Sequence, residues 1–246
     1  MARNDLVRTI DPRPIFEHGA VTHGRVEWYR PLTIYTLALN HAVSGLAPAS
    51  YHVVNVAIHA ANAVLVFAIG RVLFASMPAA FAAAALFAVH AVHTEAVMPI
   101  FGRADLLAAL FVLAAWRLSL GSNEAGRARI AAIVALFVAG LLAKENALAL
   151  VPVIVLSDAA MGLRRGSVAA DLTALARRRW PLYASLAAGA VAYGLLRYTM
   201  AGGLFASGSH VRYVENPLIE ADPVVRALTS LWVTRRARFR CPMSIR

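Results

Sequence analysis

The stretch HVVNVAIHAANAVLVFAIGRVLF, His52 to Phe74, decides the fold class. A membrane-crossing helix needs about 20 consecutive, mostly apolar residues, and this run supplies them despite two histidines and two asparagines. At about 100° per residue, His52, Asn55, His59 and Asn62 fall within an arc of about 80°, while the other faces are mainly Val, Ala, Ile, Leu and Phe. A polar stripe at membrane depth is costly unless it faces a bundle interior or water. The stripe is therefore either a seam of interhelical hydrogen bonds or one wall of a polar cavity, and spacing leaves both open.

Further apolar runs follow at Ala79 to His90, Leu106 to Leu120, Ile130 to Leu142, Ala147 to Met161 and Pro181 to Tyr198, and Val224 to Val233 begins another. Several are short for a span and need polar flanks or burial inside a bundle. Composition agrees with this reading. The 246 residues are 60% hydrophobic and only 15% charged, with a mean hydropathy of +0.63, where a soluble domain carries about a quarter charged residues. The expected fold is all-α, a polytopic transmembrane helix bundle. Ala-rich runs such as AAFAAAALFA allow its helices to approach closely. Residues 1–50 read as an outer-face loop and interfacial helix with Trp28 and Tyr29 at headgroup depth. Residues 51–233 read as the bundle. Residues 234–246, TRRARFRCPMSIR, form a basic tail without an apolar pattern.

The formal charge is +11, but the basic residues sit beside apolar runs rather than on a basic-aromatic face. That pattern fits a membrane-lipid partner and no nucleic acid. The single cysteine, Cys241, excludes an internal disulfide framework and a cysteine-based zinc site. No Walker-type loop, GxGxxG fingerprint or nucleophile elbow occurs, so ATP-driven transport and serine-hydrolase chemistry lack support. Arg71, Arg117, Arg127, Arg129, Arg164, Arg165, Arg177, Arg178 and Arg179 occupy alternate turns, which are expected to be cytoplasmic. Arg103, Lys144 and Arg212, offset by nearby acids, fall on the outer side. Basic residues are nearly all Arg, and with the abundant Ala this points to a GC-rich bacterial genome and an inner-membrane location.

The chemistry-bearing stretch is ALFAVHAVHTEAVMPIFGRADLLAALF, Ala85 to Phe111. Between two apolar runs it holds His90, His93, Glu95, Arg103 and Asp105. His90 and His93 share a helix face, whereas Glu95 lies about 140° away. Three readings stand. The group caps and packs a helix end, binds a metal, or lines a polar substrate site at the outer membrane face. The metal reading lacks the His-Glu-x-x-His spacing and an evident third ligand, and no metal is expected. Arg103 is a fixed cation suited to phosphate or carboxylate. LLAKENAL repeats the arrangement, with Lys144, the only lysine, beside Glu145. Its compact ammonium either snorkels to the interface or supplies a point charge for phosphate.

YRPLTIYTLALN, GLAPASYHVVNVAIHAANAVLVF, HAVHTEAVMPIFGRADLLA and LLAKENALALVPVIVLSD follow one another in this chain. In that order they resemble the TMTC-type membrane proteins and their bacterial relatives. Those are GT-C glycosyltransferases of the O-mannosyltransferase type, usually followed by tetratricopeptide repeats. The resemblance covers about Asn4 to Val233 and implies a fragment, since an earlier helix, later spans and the repeats are not in the sequence. It implies transfer of a sugar, mannose in the first instance, from a polyprenyl-phosphate donor to a protein hydroxyl on the outer (periplasmic) face, with no further cofactor. The family's first outer loop carries an acidic pair followed by Asn-Pro. Here NDLVRTIDPRP places Asp5 at the second acid, Asn4 at the first and Asp11-Pro12 at Asn-Pro. The resemblance thus makes Asp5 the candidate base and Glu95 the second candidate, with His90 and His93 shaping the pocket. Arg103, Lys144 and Arg30 would balance charge on the departing lipid phosphate. The rival readings are a non-catalytic membrane scaffold and a transporter. A transporter needs a polar path joining both faces, and the inner halves of these spans are almost purely apolar.

Overall fold

The computed structural model describes residues 5–8, 10–18, 20–22, 25–120, 126–162 and 168–201, with positions 225 and 229. The chain divides into two compact units, Met1–Ala206 and Ser207–Arg246, and the first holds the architecture described below. The basic tail at 234–246 and most of the run from Val224 to Val233 lie outside the described residues.

After a 3-10 turn, Asp5–Val7, come α1 (Pro12–His18), a hairpin of β1 (Ala20–Thr22) and β2 (Arg25–Trp28), and α2 (Pro31–Ser44). Then follow α3 (Pro48–Leu73), α4 (Met77–Val89), α5 (Thr94–Val97), α6 (Arg103–Ser119), α7 (Arg127–Ala143), α8 (Leu150–Gly162) and α9 (Val168–Ala201). The all-α expectation holds apart from the small antiparallel hairpin. That hairpin occupies part of the segment expected to be an interfacial helix. Trp28 ends β2, and the helix starts only at Pro31, where a proline costs nothing because a first-turn N–H has no intrahelical partner.

Among the described residues, Pro48–Leu73 and Glu145–Gly162 are long and apolar enough to cross a membrane. Met77–Val89 with Ala91–Val97, bent by 46°, makes a third candidate. α6 and α7 have 17 residues each, about 26 Å at 1.5 Å per residue, and pack against each other. α6 also packs on α3, and α7 on α9. The expected boundary at Pro181 is not observed. α9 runs through it from Val168, so the arginine-rich stretch before Pro181 is helical rather than a loop.

Buried side chains explain the packing. On α7, Ile133, Phe137, Gly140 and Leu141 repeat at helical spacing and are buried. On α9, Leu182, Leu186, Gly189 and Tyr193 do the same. With Leu150 and Ile154 of α8, these faces form the main core. Gly140 permits the approach of the turn after α7, since a Cβ there would sit 2.9 Å from that of Ala147. A smaller core joins Val7, Ile15, Ile34, Leu37 and Tyr51, fastening the N-terminal segment onto α2 and α3.

The polar stripe of α3 is resolved by these contacts. Asn55 and Asn62 are buried. Asn55 Nδ2 donates to the Val97 and Pro99 carbonyls, and Asn62 Nδ2 to that of Leu106. His59 Nε2 lies 3.1 Å from the Ala88 carbonyl. The stripe is thus an interhelical seam.

Candidate functional site

Helix α2 lies across one end of the bundle, and its successive contacts trace its path. Arg30, at its N-cap, meets Glu145 after α7. Thr33 Oγ1 donates to the Ala143 carbonyl at 2.9 Å. Thr36 and Asn40 meet Arg103 at the start of α6. Ser44 and Gly45 meet Ser50 and Tyr51 at the start of α3. A polar layer therefore spans the end of the bundle beneath α2.

Arg103 is the centre of this layer and has no exposed surface. Nε donates to Asn55 Oδ1 at 2.9 Å and Nη1 to the Thr36 carbonyl at 3.2 Å. Nη2 donates to Asn40 Oδ1 at 2.7 Å and to the Tyr51 carbonyl at 3.1 Å. The guanidinium also lies 5.7 Å from the Tyr51 ring centroid, within cation–π range. All four acceptors are neutral, so the charge is hydrogen-bonded but not neutralised by a carboxylate among the described residues. The preceding turn is tight. A Cβ on Gly102 would sit 2.1 Å from the Ala96 carbonyl oxygen, so only glycine fits.

Asp105 leaves α6 on another side, because residues two apart on a helix do not face each other. It pairs with Lys144. Lys144 is extended, with φ −162° and ψ 141°, and adjacent side chains on extended backbone point opposite ways. Glu145 accordingly turns to Arg30, with Nη2–Oε1 at 2.9 Å and Nε–Oε2 at 3.4 Å. The same carboxylate lies 3.6 Å from Arg197 Nη1 of α9. Tyr29 packs above this group, its hydroxyl donating to the Phe16 carbonyl, and burial beside Tyr193 raises its pKa.

The histidines form a separate group. His93 stacks near Phe87 and His59, with ring centroids 4.3 and 5.2 Å apart. His90 is 6.2 Å from His93, edge-on, and its Nδ1 accepts from the Val92 N–H, capping the short turn. Glu95, on α5, is exposed and has no ionic partner among the described residues. Asn4 lies outside the described residues. Asp5 begins the 3-10 turn that packs on α2. The predicted residues thus fall into the Arg103 strut, the Lys144–Asp105 and Arg30–Glu145 pairs, and the histidine turn. No set of three His, Cys, Asp or Glu among the described residues is placed to hold a metal.

At the opposite end, Arg179 Nε and Nη2 reach both oxygens of Asp158, at 2.9 and 2.7 Å. Tyr183 donates to the same carboxylate, and Arg179 also to the Ser119 carbonyl. Between the two polar ends lie Ile133, Phe137, Leu182 and Leu186, all buried and apolar.

With this geometry in place, comparison with known proteins gives a consistent result. The chain is similar to protein O-mannosyl-transferases. It is 38% identical over 151 residues to the protein O-mannosyl-transferase Tmtc1 of Drosophila melanogaster, covering 60% of this chain and 16% of that protein. It is 48% identical over 88 residues to the mouse protein O-mannosyl-transferase TMTC3, covering 36% and 10%. With the Caenorhabditis elegans protein O-mannosyl-transferase F38B6.6 it shares 38% over 133 residues, covering 53% and 19%. The chain thus spans between a tenth and a fifth of the length of these relatives. No family model and no solved structure matches it.

Arg197 and Tyr193 were not singled out from the sequence. Both continue the buried stripe of Leu182, Leu186 and Gly189 along α9. That stripe was the available signal, since an arginine on a core-facing position needs a partner or a ligand.

Proposed function

We propose that the chain carries the site of an integral-membrane glycosyltransferase. It moves a mannosyl group from a polyprenyl-phosphate sugar to a protein hydroxyl at the α2 end of the bundle. The observation that carries this is the 38–48% identity to proteins named protein O-mannosyl-transferases. The arginines at the other end, such as Arg71, Arg117, Arg127 and Arg179, support an outer-facing site, and the Ala- and Arg-rich composition supports a bacterial inner membrane with the site on its periplasmic side.

In this reading the acceptor hydroxyl attacks the anomeric carbon as a carboxylate takes its proton. The bond from that carbon to the phosphate oxygen breaks, and the lipid phosphate departs with the electron pair. Asp5 is the first candidate base and Glu95 the second, Glu95 being supported by its exposure and lack of an ionic partner among the described residues. Lys144 and Arg30 stabilise the negative charge gained by the leaving group. Arg103, already hydrogen-bonded by four acceptors, is a positioning residue that also contributes its unneutralised charge. His90 and His93 shape the approach. The test is transfer of labelled mannose from polyprenyl-phosphate mannose to protein in proteoliposomes. Transfer that is lost in Asp5→Asn or Glu95→Gln at normal expression assigns the base. A wild-type chain that transfers nothing sinks the reading.

A further inference from the structure

Among the described residues, three features lie apart from these site residues. An open apolar groove of about 530 Å³ between α3 and α4 is lined by residues such as Phe67, Phe81 and Val89. It has no polar feature to select an occupant. The His59–Phe87–His93 ring group is a packing cluster around a turn. The third feature is a set of buried donors on α9, and it carries an inference.

Arg197 has 12% of its side chain exposed. Its Nε and Nη1 have no hydrogen-bond partner among the described residues. The nearest carboxylate, Glu145, lies 3.6 Å from Nη1 and is already held by the fork of Arg30. One turn earlier, Tyr193 is 6% exposed, and its hydroxyl is also buried without a hydrogen-bond partner among the described residues. That hydroxyl oxygen faces the Arg197 guanidinium, too poorly aligned to complete a hydrogen bond, and lies in the field of Glu145 and Arg30 as well. Buried donors are almost always satisfied, and leaving them unmet is costly. Here three of them, from two residues at i and i+4, lie on one helix face.

Charge narrows the chemistry of what would satisfy them. Among the described residues, the carboxylates that Arg30, Lys144 and Arg197 pair with in this layer are Glu145 and Asp105, and Arg103 is held by neutral acceptors. Lys144 and Asp105 cancel. Glu145 is shared by two guanidinium groups, and Arg103 is surrounded by neutral acceptors. A neutral hydroxyl ligand would fill the donors but leave the excess positive charge. An anion with several acceptor oxygens does both, and a guanidinium fork matches a phosphate.

We propose that Arg197 and Tyr193, with Arg30 alongside, bind the anionic oxygens of a phosphate ester, Glu145 holding the two arginines apart and in place. The source of that phosphate, a lipid headgroup, rests on the transferase reading; the anion site itself rests on the orphaned donors.

The full chain in nanodiscs is titrated with undecaprenyl phosphate, with undecaprenol as the same chain lacking the phosphate, and with inorganic phosphate, following the thermal unfolding midpoint. Undecaprenyl phosphate is expected to raise the midpoint, and undecaprenol is not. Arg197→Ala is expected to weaken binding about 30-fold, Arg197→Lys less, and Tyr193→Phe about 3-fold, since charge-assisted bonds exceed neutral ones. Tyr193→Phe removes one oxygen and keeps the shape, so it carries the test if Arg197→Ala does not fold. Stabilisation by inorganic phosphate with the same dependence on Arg197 supports the anion site and assigns a free phosphate as its source. Binding of undecaprenyl phosphate that is unchanged in Arg197→Lys and Tyr193→Phe, or no binding of either phosphate, overturns the proposal. Arg197-dependent binding without mannose transfer sinks only the transferase reading. Transfer with an unaltered donor KM in both variants sinks only the site.

Discussion

Arg179 and Arg103 are both buried, at opposite ends of the same bundle, and their surroundings differ in kind. Arg179 faces a carboxylate, Asp158, through two parallel bonds, and Tyr183 completes that carboxylate's shell. Arg103 faces two side-chain amides and two backbone carbonyls. One of the two sites is electrically closed. The other keeps a positive charge held rigidly by neutral dipoles. A closed pair serves to fasten helices. An open charge fastens them too, but it also favours any anion that arrives nearby.

This contrast can be broken by substitution. The largest effect is expected from Arg179→Met, which strands the Asp158 carboxylate and costs about 3–5 kcal/mol. Adding Asp158→Leu should recover more than half of that loss, because a buried pair tolerates replacement by apolar side chains of similar volume. Reversible unfolding in detergent measures both. A double variant no better than the single would show that the two ends are not different in kind. Next comes Arg103→Met, expected to cost about 2–4 kcal/mol through four unfilled acceptors. No single second substitution should restore it, since the acceptors come from α2 and α3 and two are backbone.

Gly102→Ala sharpens the comparison further. The added Cβ meets the Ala96 carbonyl, and the resulting shift of Arg103 should lower stability by about 1–3 kcal/mol. Arg179 has no comparable turn beside it, so the histidine turn should loosen without any change at the Asp158 end, as hydrogen exchange would report. The smallest effect is Thr33→Val, which removes one bond between α2 and the Ala143 carbonyl. It should cost about 1 kcal/mol, and a value near zero would mean that this bond does not help to hold α2.

Much of the fold was legible in the sequence, and the misses have physical causes. The apolar runs marked the helices, and the small residues marked close contacts such as Gly70 against Ala80. The arginine rule placed Arg177, Arg178 and Arg179 together in a loop. That rule counts charges without asking which one can find a partner. Asp158, the lone acid in an apolar helix, was the missing clue. In the site, the charged types were legible but their pairing was not. Arg103 and Asp105 look like neighbours in sequence, yet a helix turns them to different partners. Lys144 and Glu145 are separated in the same way by one extended residue. Pairing depends on which helices meet, and that is a property of the bundle rather than of any one segment.

The helices also differ in reach. α3 has 26 residues, about 39 Å at 1.5 Å per residue, while α6 and α7 have 17 each. A hydrocarbon layer about 30 Å thick is overfilled by the first and underfilled by the others. A long span is accommodated by tilting, and a short one by thinning of the bilayer or by its polar flanks. Helices of unequal reach packed side by side make unequal demands on the lipid around them.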